Sequence, residues 1–228
     1  MVHLFNILLL ISFAVIAEVS SHGYMFSPIN RASRWRLDKD DFSVPHCYED
    51  NQFYCGGLTV QYSINGGLCG PCGDDYRNPI PRSNENGGTY GNNVVVESYY
   101  EGSLIDVDIR ITSNHLGNMS FHLCNLQDPN MPETEECFEP LTLADGSFYQ
   151  NVLSEQFNIT TQVKLPDHFV CDRCVFRWHY VAGNNWGSCN DGTYAAGCGP
   201  QETFRSCADI TILPSAMSSR NSELNRKL

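Results

Sequence analysis

Eleven cysteines constrain this chain more than any other feature: Cys47, Cys55, Cys69, Cys72, Cys124, Cys137, Cys171, Cys174, Cys189, Cys198 and Cys207. All lie beyond residue 21. In an oxidising compartment such a set reads as a disulfide framework that pins loops a hydrophobic core would not hold. Because the number is odd, at least one thiol stays free or pairs with another chain. Cys69-Gly-Pro-Cys72 has the spacing of a redox motif, and together with Cys171-x-x-Cys174 it has that of a four-cysteine zinc site. The abundance of further cysteines favours disulfides over both readings. The sequons Asn118-Met119-Ser120 and Asn158-Ile159-Thr160 suit a secreted glycoprotein.

The start of the chain agrees. Leu4 to Ile16 is an apolar run of about 13 residues, too short for a comfortable membrane span. Small residues follow at Val19, Ser20 and Ser21, the pattern of a secretory leader. The expected division is a signal peptide at 1–21, a single domain at 22–213 and a polar tail at 214–228. The full chain carries a net charge of −12, or −11 once Glu18 leaves with the leader. That charge disfavours nucleic acid and anionic membrane and is compatible with a neutral polysaccharide. No later stretch is apolar enough to cross a bilayer, so a secreted, extracellular, soluble monomer is expected.

Residues 22–92 are rich in Gly, Pro, Asn and Cys and read as long loops, with Gly57 to Ile64 as a possible strand and Trp35 as a core anchor. From Asn93 a period of two appears. Val94 to Val96 begins a strand. Ile105, Val107, Ile109 and Ile111 alternate with polar residues up to the turn Ser113-Asn114-His115-Leu116-Gly117. Phe121 and Leu123 mark another strand. Residues 127–147 read as loop, with the acidic cluster Glu133, Glu135 and Glu136 as solvated surface. Phe157 to Leu165, Val175 to Val181 and Phe204 to Leu213 are strand-like, and Asn184 to Pro200 is a Gly- and Cys-rich loop. Many short strands without a long amphipathic helix predict an all-β sandwich with long disulfide-pinned loops.

Cleavage after Ser21 would leave His22 at the N-terminus, with an α-amine and an imidazole able to chelate one metal ion. A second histidine alongside would complete a planar three-nitrogen set, which favours Cu(II). The candidates are His46, His115, His122, His168 and His179. His115 lies just past the most strongly patterned strand, where loops on a rigid scaffold carry function.

Several stretches together resemble one family. They are His22-Gly23 after the leader, Asn30-Arg31-Ala32 with Trp35-Arg36, Cys55-Gly56-Gly57, Cys69-Gly-Pro-Cys72-Gly73-Asp74 and Asn114-His115-x-Gly117. Further on come Arg177-Trp178-x-Tyr180-x-Ala182-Gly183-Asn184-Asn185-Trp186-Gly187 and Gly197-Cys198-Gly199-Pro200-Gln201-Glu202-x-Phe204-Arg205-x-Cys207-Ala208-Asp209-Ile210. In this order they resemble the copper-dependent lytic polysaccharide monooxygenases of the fifteenth auxiliary-activity family. The resemblance implies an immunoglobulin- or fibronectin III-like β-sandwich with one copper ion on a flat face. It carries the copper ligands onto His22 and His115 and the axial position onto Phe204. Ser113 stands where related copper sites often have Ala, and Gln201 or Glu202 is expected to help position the oxygen species. Tyr24 is a candidate for stacking on sugar.

The implied reaction is oxidative cleavage of an insoluble polysaccharide, chitin first and cellulose second. It uses O2 or H2O2 as co-substrate and electrons from an external reductant. Two other readings remain at this point: a non-catalytic chitin-binding cuticle protein, and a copper-binding or copper-delivery protein using the same histidines.

Overall fold

The computed structural model describes residues 22–126 and 128–215. The expected leader at 1–21 and the tail beyond Ser215 lie outside these residues. Eleven strands are present among them. They are β1 (His22–Ser27), β2 (Val95–Tyr100), β3 (Leu104–Ser113), β4 (Asn118–Asn125), β5 (Phe138–Leu143) and β6 (Gln150–Asn151), followed by β7 (Asn158–Lys164), β8 (Cys171–Val181), β9 (Trp186–Ser188), β10 (Tyr194–Ala196) and β11 (Thr203–Leu213).

Nine strands form one curled sheet in the order β1-β3-β7-β5-β4-β8-β11-β2, with β6 beside β4. The curl occurs at β5. Its first residues pair with β4 at Phe121↔Leu141, and its last pair with β7 at Leu143↔Val163. The sheet thereby folds over itself into the expected sandwich. The alternation read in the sequence aims one set of side chains inward from each layer. Ile105, Val107, Ile109 and Ile111 of β3 meet Phe121 of β4, Phe176, Trp178 and Tyr180 of β8, and Phe204 and Ile210 of β11.

The first third is loop-rich, as expected, but not without structure. Asn30 caps the short helical turn Arg31–Arg36, its Oδ1 accepting from the N–H groups of Ala32 and Ser33 at 3.1 Å each. Trp35 is buried, as expected of an anchor. The possible strand at Gly57 to Ile64 is instead a helical turn over Thr59–Ile64, entered through Gly56 and Gly57 at positive φ. The loop expected at 127–147 contains β5, whose period Glu139 and Pro140 mask.

Disulfides join Cys55–Cys69, Cys72–Cys207, Cys124–Cys137, Cys171–Cys174 and Cys189–Cys198. Cys69 and Cys72 are therefore not partners of each other, and Cys47 is the free thiol, buried. Cys72 and Glu133 belong to a layer of loops covering the outer face of β4, β8 and β11.

That layer corrects the reading of the acidic cluster as solvated surface for Glu133; Glu135 and Glu136 remain exposed, as expected. Glu133 is buried and paired with Arg31, whose guanidinium also holds both carboxylate oxygens of Asp209 at 2.7 and 2.8 Å. Glu135 bridges Arg177 at 3.0 Å and Arg205 at 2.7 Å. The carboxylates sit where the outer face of the sheet presents arginines; loss of either Arg31 or Glu133, or of Glu135 opposite the buried Arg177 and Arg205, would strand a buried charge.

Two predictions follow from this layer. In the chain-entropy picture, Cys72–Cys207 closes a loop of 135 residues and constrains the unfolded state by about 5 kcal/mol, against under about 2 for the three-residue Cys171–Cys174 loop. Denaturant unfolding should show C72S/C207S losing about 3 kcal/mol more than C171S/C174S.

The second concerns pH. His122 and His179 lie beside Arg177 and Arg205, with Glu135 on the same face. Burial, then the two arginines, pushes His122 down to about 4 and His179 well below its ordinary range. Unfolded, both titrate near 6.5. Their neutral forms contribute stability that is complete above about pH 6.5 and is lost as pH falls toward 4. Asp74, raised by burial to about 6, acts in the opposite sense but is one group against two. Melting temperature should fall between pH 7 and pH 5, and His122→Asn should flatten that slope.

Candidate metal centre

β1 and β3 bring the two proposed histidines to one end of the sandwich. They pair antiparallel with His22 opposite Ser113, the last residue of β3. Asn51 accepts from the Gly23 N–H at 3.1 Å and holds the start of β1 in place. His115 follows in the turn from β3 to β4. Asn114 shapes that turn: its Oδ1 accepts from the Leu116 N–H at 2.8 Å, and its Nδ2 donates to the carbonyls of Leu153 and Gln156. Leu116 and Gly117 both take positive φ. The chain can then reverse into β4 with His115 at the bend.

His115 is 8% exposed. Its Nε2 lies 3.5 Å from Ser113 Oγ, on the side of the His22 pairing. Its Nδ1 faces the other way, 2.8 Å from the Asn184 carboxamide nitrogen and 3.8 Å from Glu202 Oε2. Burial lowers the His115 pKa, Glu202 opposes that shift, and the neighbouring His22 adds to it. A buried imidazole held neutral is what a metal requires of a ligand. The donor set therefore fits copper: imidazole nitrogens at one sheet end, with an α-amine added if the chain begins at His22.

Phe204 is fully buried in β11 and pairs with Tyr180 of β8. Its ring lies 5.8 Å from those of Tyr54 and Tyr180. Tyr180 in turn donates its hydroxyl to the carbonyl of Leu116, next to His115. The apolar ring thus belongs to the aromatic layer beneath the His115 turn.

Two expected residues are placed otherwise. Tyr24 is 9% exposed with the Arg36 guanidinium 4.9 Å above its ring, so it offers no open face to a sugar. Alternation along β1 puts Met25 in the core and Tyr24 on the opposite face, where Arg36 covers it. Gln201 is buried and turned away from His115: its amide accepts from the Asn185 N–H and donates to the carbonyls of Asn185 and Cys198. Of the Gln201-Glu202 pair, Glu202 is the one beside the histidine.

Asn184 was missed as a partner of His115, because its role depends on a contact across 69 residues. The loop it begins also carries the β9–β10 hairpin, closed by Cys189–Cys198, with Trp186 at 71% and Tyr194 at 65% exposure. Among the described residues, Cys72, Glu133 and Cys207 also have metal-ligand spacing, but the two sulfurs are bonded to each other.

Comparison with known proteins shows the family of the chain. The family model of lytic polysaccharide mono-oxygenases, described as cellulose-degrading, matches residues 22–210. Among solved structures, one resembles the chain closely: a lytic polysaccharide monooxygenase AA15 from Thermobia domestica in the Cu(I) state. It has 46% identity and a TM-score of 0.79, over 84% of this chain and 98% of that one. More distant is the cellulose-active CelS2 in complex with copper, at 15% identity and TM-score 0.48, over 85% of this chain and 100% of that one. A chitin binding domain from Burkholderia pseudomallei stands at 14% identity and TM-score 0.44, over 85% and 100% respectively. No curated protein sequence matches. The chain belongs to the lytic polysaccharide monooxygenases, copper-dependent oxidoreductases acting on polysaccharide, and within them to the fifteenth auxiliary-activity family.

Proposed function

We propose that the secreted chain, beginning at His22 after loss of residues 1–21, holds one copper ion through the His22 amine and imidazole and through His115. It would act on chitin, with cellulose as the second substrate, on the strength of the resemblance set out above. The observation that carries the site is the β1–β3 register, which sets His22 opposite Ser113, two residues from His115. Bound copper would supply one-electron redox chemistry, with O2 or H2O2 as co-substrate and an external electron donor, leading to oxidation at C1 or C4 of a glycosidic unit.

The protein's own part is positional. Ser113 and Asn184 flank the two ring nitrogens of His115 and limit its rotation. Phe204 supplies an apolar ring that offers no lone pair, so it would not itself ligate a bound copper. Glu202, 12% exposed in its side chain and 3.8 Å from His115 Nδ1, is the group placed to hold a proton or orient a small polar co-substrate. Trp186 and Tyr194 present exposed rings on a cross-linked hairpin, suited to the apolar faces of pyranose units on an insoluble surface. The mature charge of −11 suits a neutral chain better than an anionic one. The protein is proposed to work as an extracellular monomer with no nucleic acid or membrane partner.

The test uses protein with a verified His22 N-terminus, loaded with copper and incubated with β-chitin or cellulose and ascorbate. Mass spectrometry should detect oxidised oligosaccharides that require reductant, and His115→Ala should reduce them below detection. If wild-type protein gives none on either substrate, a binding or copper-handling role takes over. Full activity in His115→Ala would refute the ligand assignment.

A further inference from the structure

Nothing in the resemblance assigns a role to Asn184, yet the fold goes to some length to bring it against His115. Gly183 donates its N–H to the His115 carbonyl at 2.9 Å. A Cβ on Gly183 would lie 2.9 Å from the Gly117 nitrogen, and one on Gly117 would lie 2.0 Å from the Val181 carbonyl oxygen. Glycine at both positions lets the 113–117 turn and the 181–184 segment touch backbone to backbone. The next residue along, Asn185, is pinned at its N–H and its carbonyl by the buried Gln201 side chain at 2.9 and 3.0 Å. Asn184 is thus held on both sides, with its carboxamide against Nδ1 of His115.

The two nitrogens of that ring have different surroundings. Nε2 faces Ser113 and the His22 pairing, while Nδ1 faces Asn184 and Glu202. For Nε2 to offer its lone pair, the ring proton must sit on Nδ1, and a buried N–H needs an acceptor. A carboxamide provides one when its oxygen faces the ring, and its oxygen and nitrogen exchange places by a half-turn without a change of shape.

We propose that Asn184 is the positioning residue of the centre. Its carboxamide oxygen accepts the His115 Nδ1–H, which selects the tautomer with a free Nε2 lone pair and holds the ring plane. This rests on the proposed reading of His115 as a copper ligand. Gln201, which was expected to act on oxygen, serves here as the anchor of the segment that carries Asn184.

The test does not depend on turnover. Long-range 1H–15N NMR of the copper-free protein, starting at His22, should place the His115 proton on Nδ1 in the wild type. Asn184 is exposed, so substitutions there should leave the melting temperature of the copper-free protein unchanged. Asn184→Leu keeps the shape, removes the acceptor, and should return His115 to the Nε2–H tautomer. Cu(II) affinity by calorimetry should fall about 10- to 100-fold. Asn184→Asp, which only accepts, should keep the wild-type tautomer and affinity. A wild-type proton on Nε2 overturns the proposal. So does a Leu variant that matches wild type in tautomer or affinity, or an Asp variant that loses as much as Leu. Absence of oxidised products from wild-type protein would sink the proposed activity and leave these readings of Asn184 standing.

Discussion

A single buried guanidinium joins the parts of this protein that have no common hydrophobic core. Arg31 leaves the short helical turn near the start of the chain and contacts Asp209 of β11, Glu133 of the acidic loop and the Asn84 carbonyl of the long loop between them. Taking an arginine out of water is costly, and only a full set of acceptors offsets that cost. Arg31 finds one, and the electrostatics record it: although burial opposes the charged form, Glu133 and Asp209 raise its pKa further above its already high ordinary value. Once these acceptors are satisfied, the first loops cannot leave the sheet without exposing an unpaired charge on each side. The Cys72–Cys207 bond beside them makes the same connection covalently.

That outer layer explains why the proposed metal end can be built from short pieces. The inner core of Trp178, Tyr180, Phe204 and the β3 isoleucines fixes the strands, and the strands fix where turns begin. His115 occupies a turn whose backbone is bonded at Asn114, Leu116 and Gly183 and whose ring is flanked on both nitrogens. His22 needs only the register of β1 on β3 to arrive beside it. The proposed ligand pair, set by a sheet register and a tightly bonded turn, would lose little freedom when a metal binds, which favours affinity.

Much of the fold was legible beforehand. Ile105 to Ile111 announced β3 because one face of the strand is buried and the other is wet; Phe204 to Ile212 announced β11 by its alternation, although the loop layer buries its second face as well. β5 was not legible. Its sequence Phe-Glu-Pro-Leu-Thr-Leu carries a proline and a glutamate, and it serves as the strand that changes layer, so its pattern reflects two partners rather than one. Glu133 and Glu135 read as surface because neighbouring acids usually are. Arg31, which takes Glu133 into the interior, and Arg177 and Arg205, which tie Glu135 to the sheet, come from distant segments. Tyr24 and Gln201 were named for their closeness in sequence to His22 and Phe204; Arg36 covers the ring of the first, and the Asn185 and Cys198 backbone holds the carboxamide of the second.

By itself, the sequence determined the β-class, the disulfide chemistry, the turn at His115 and the likeness that points to copper. Those properties depend on residue type and local spacing, which a linear reading preserves. Only the tertiary structure decided which cysteines pair, which carboxylates are interior and which side chain meets Nδ1 of His115. Each of those is a contact between segments tens of residues apart. Asn184 differs from the adjacent Asn185 only in what the folded chain places opposite it: an imidazole for one, and the carboxamide of Gln201 for the other.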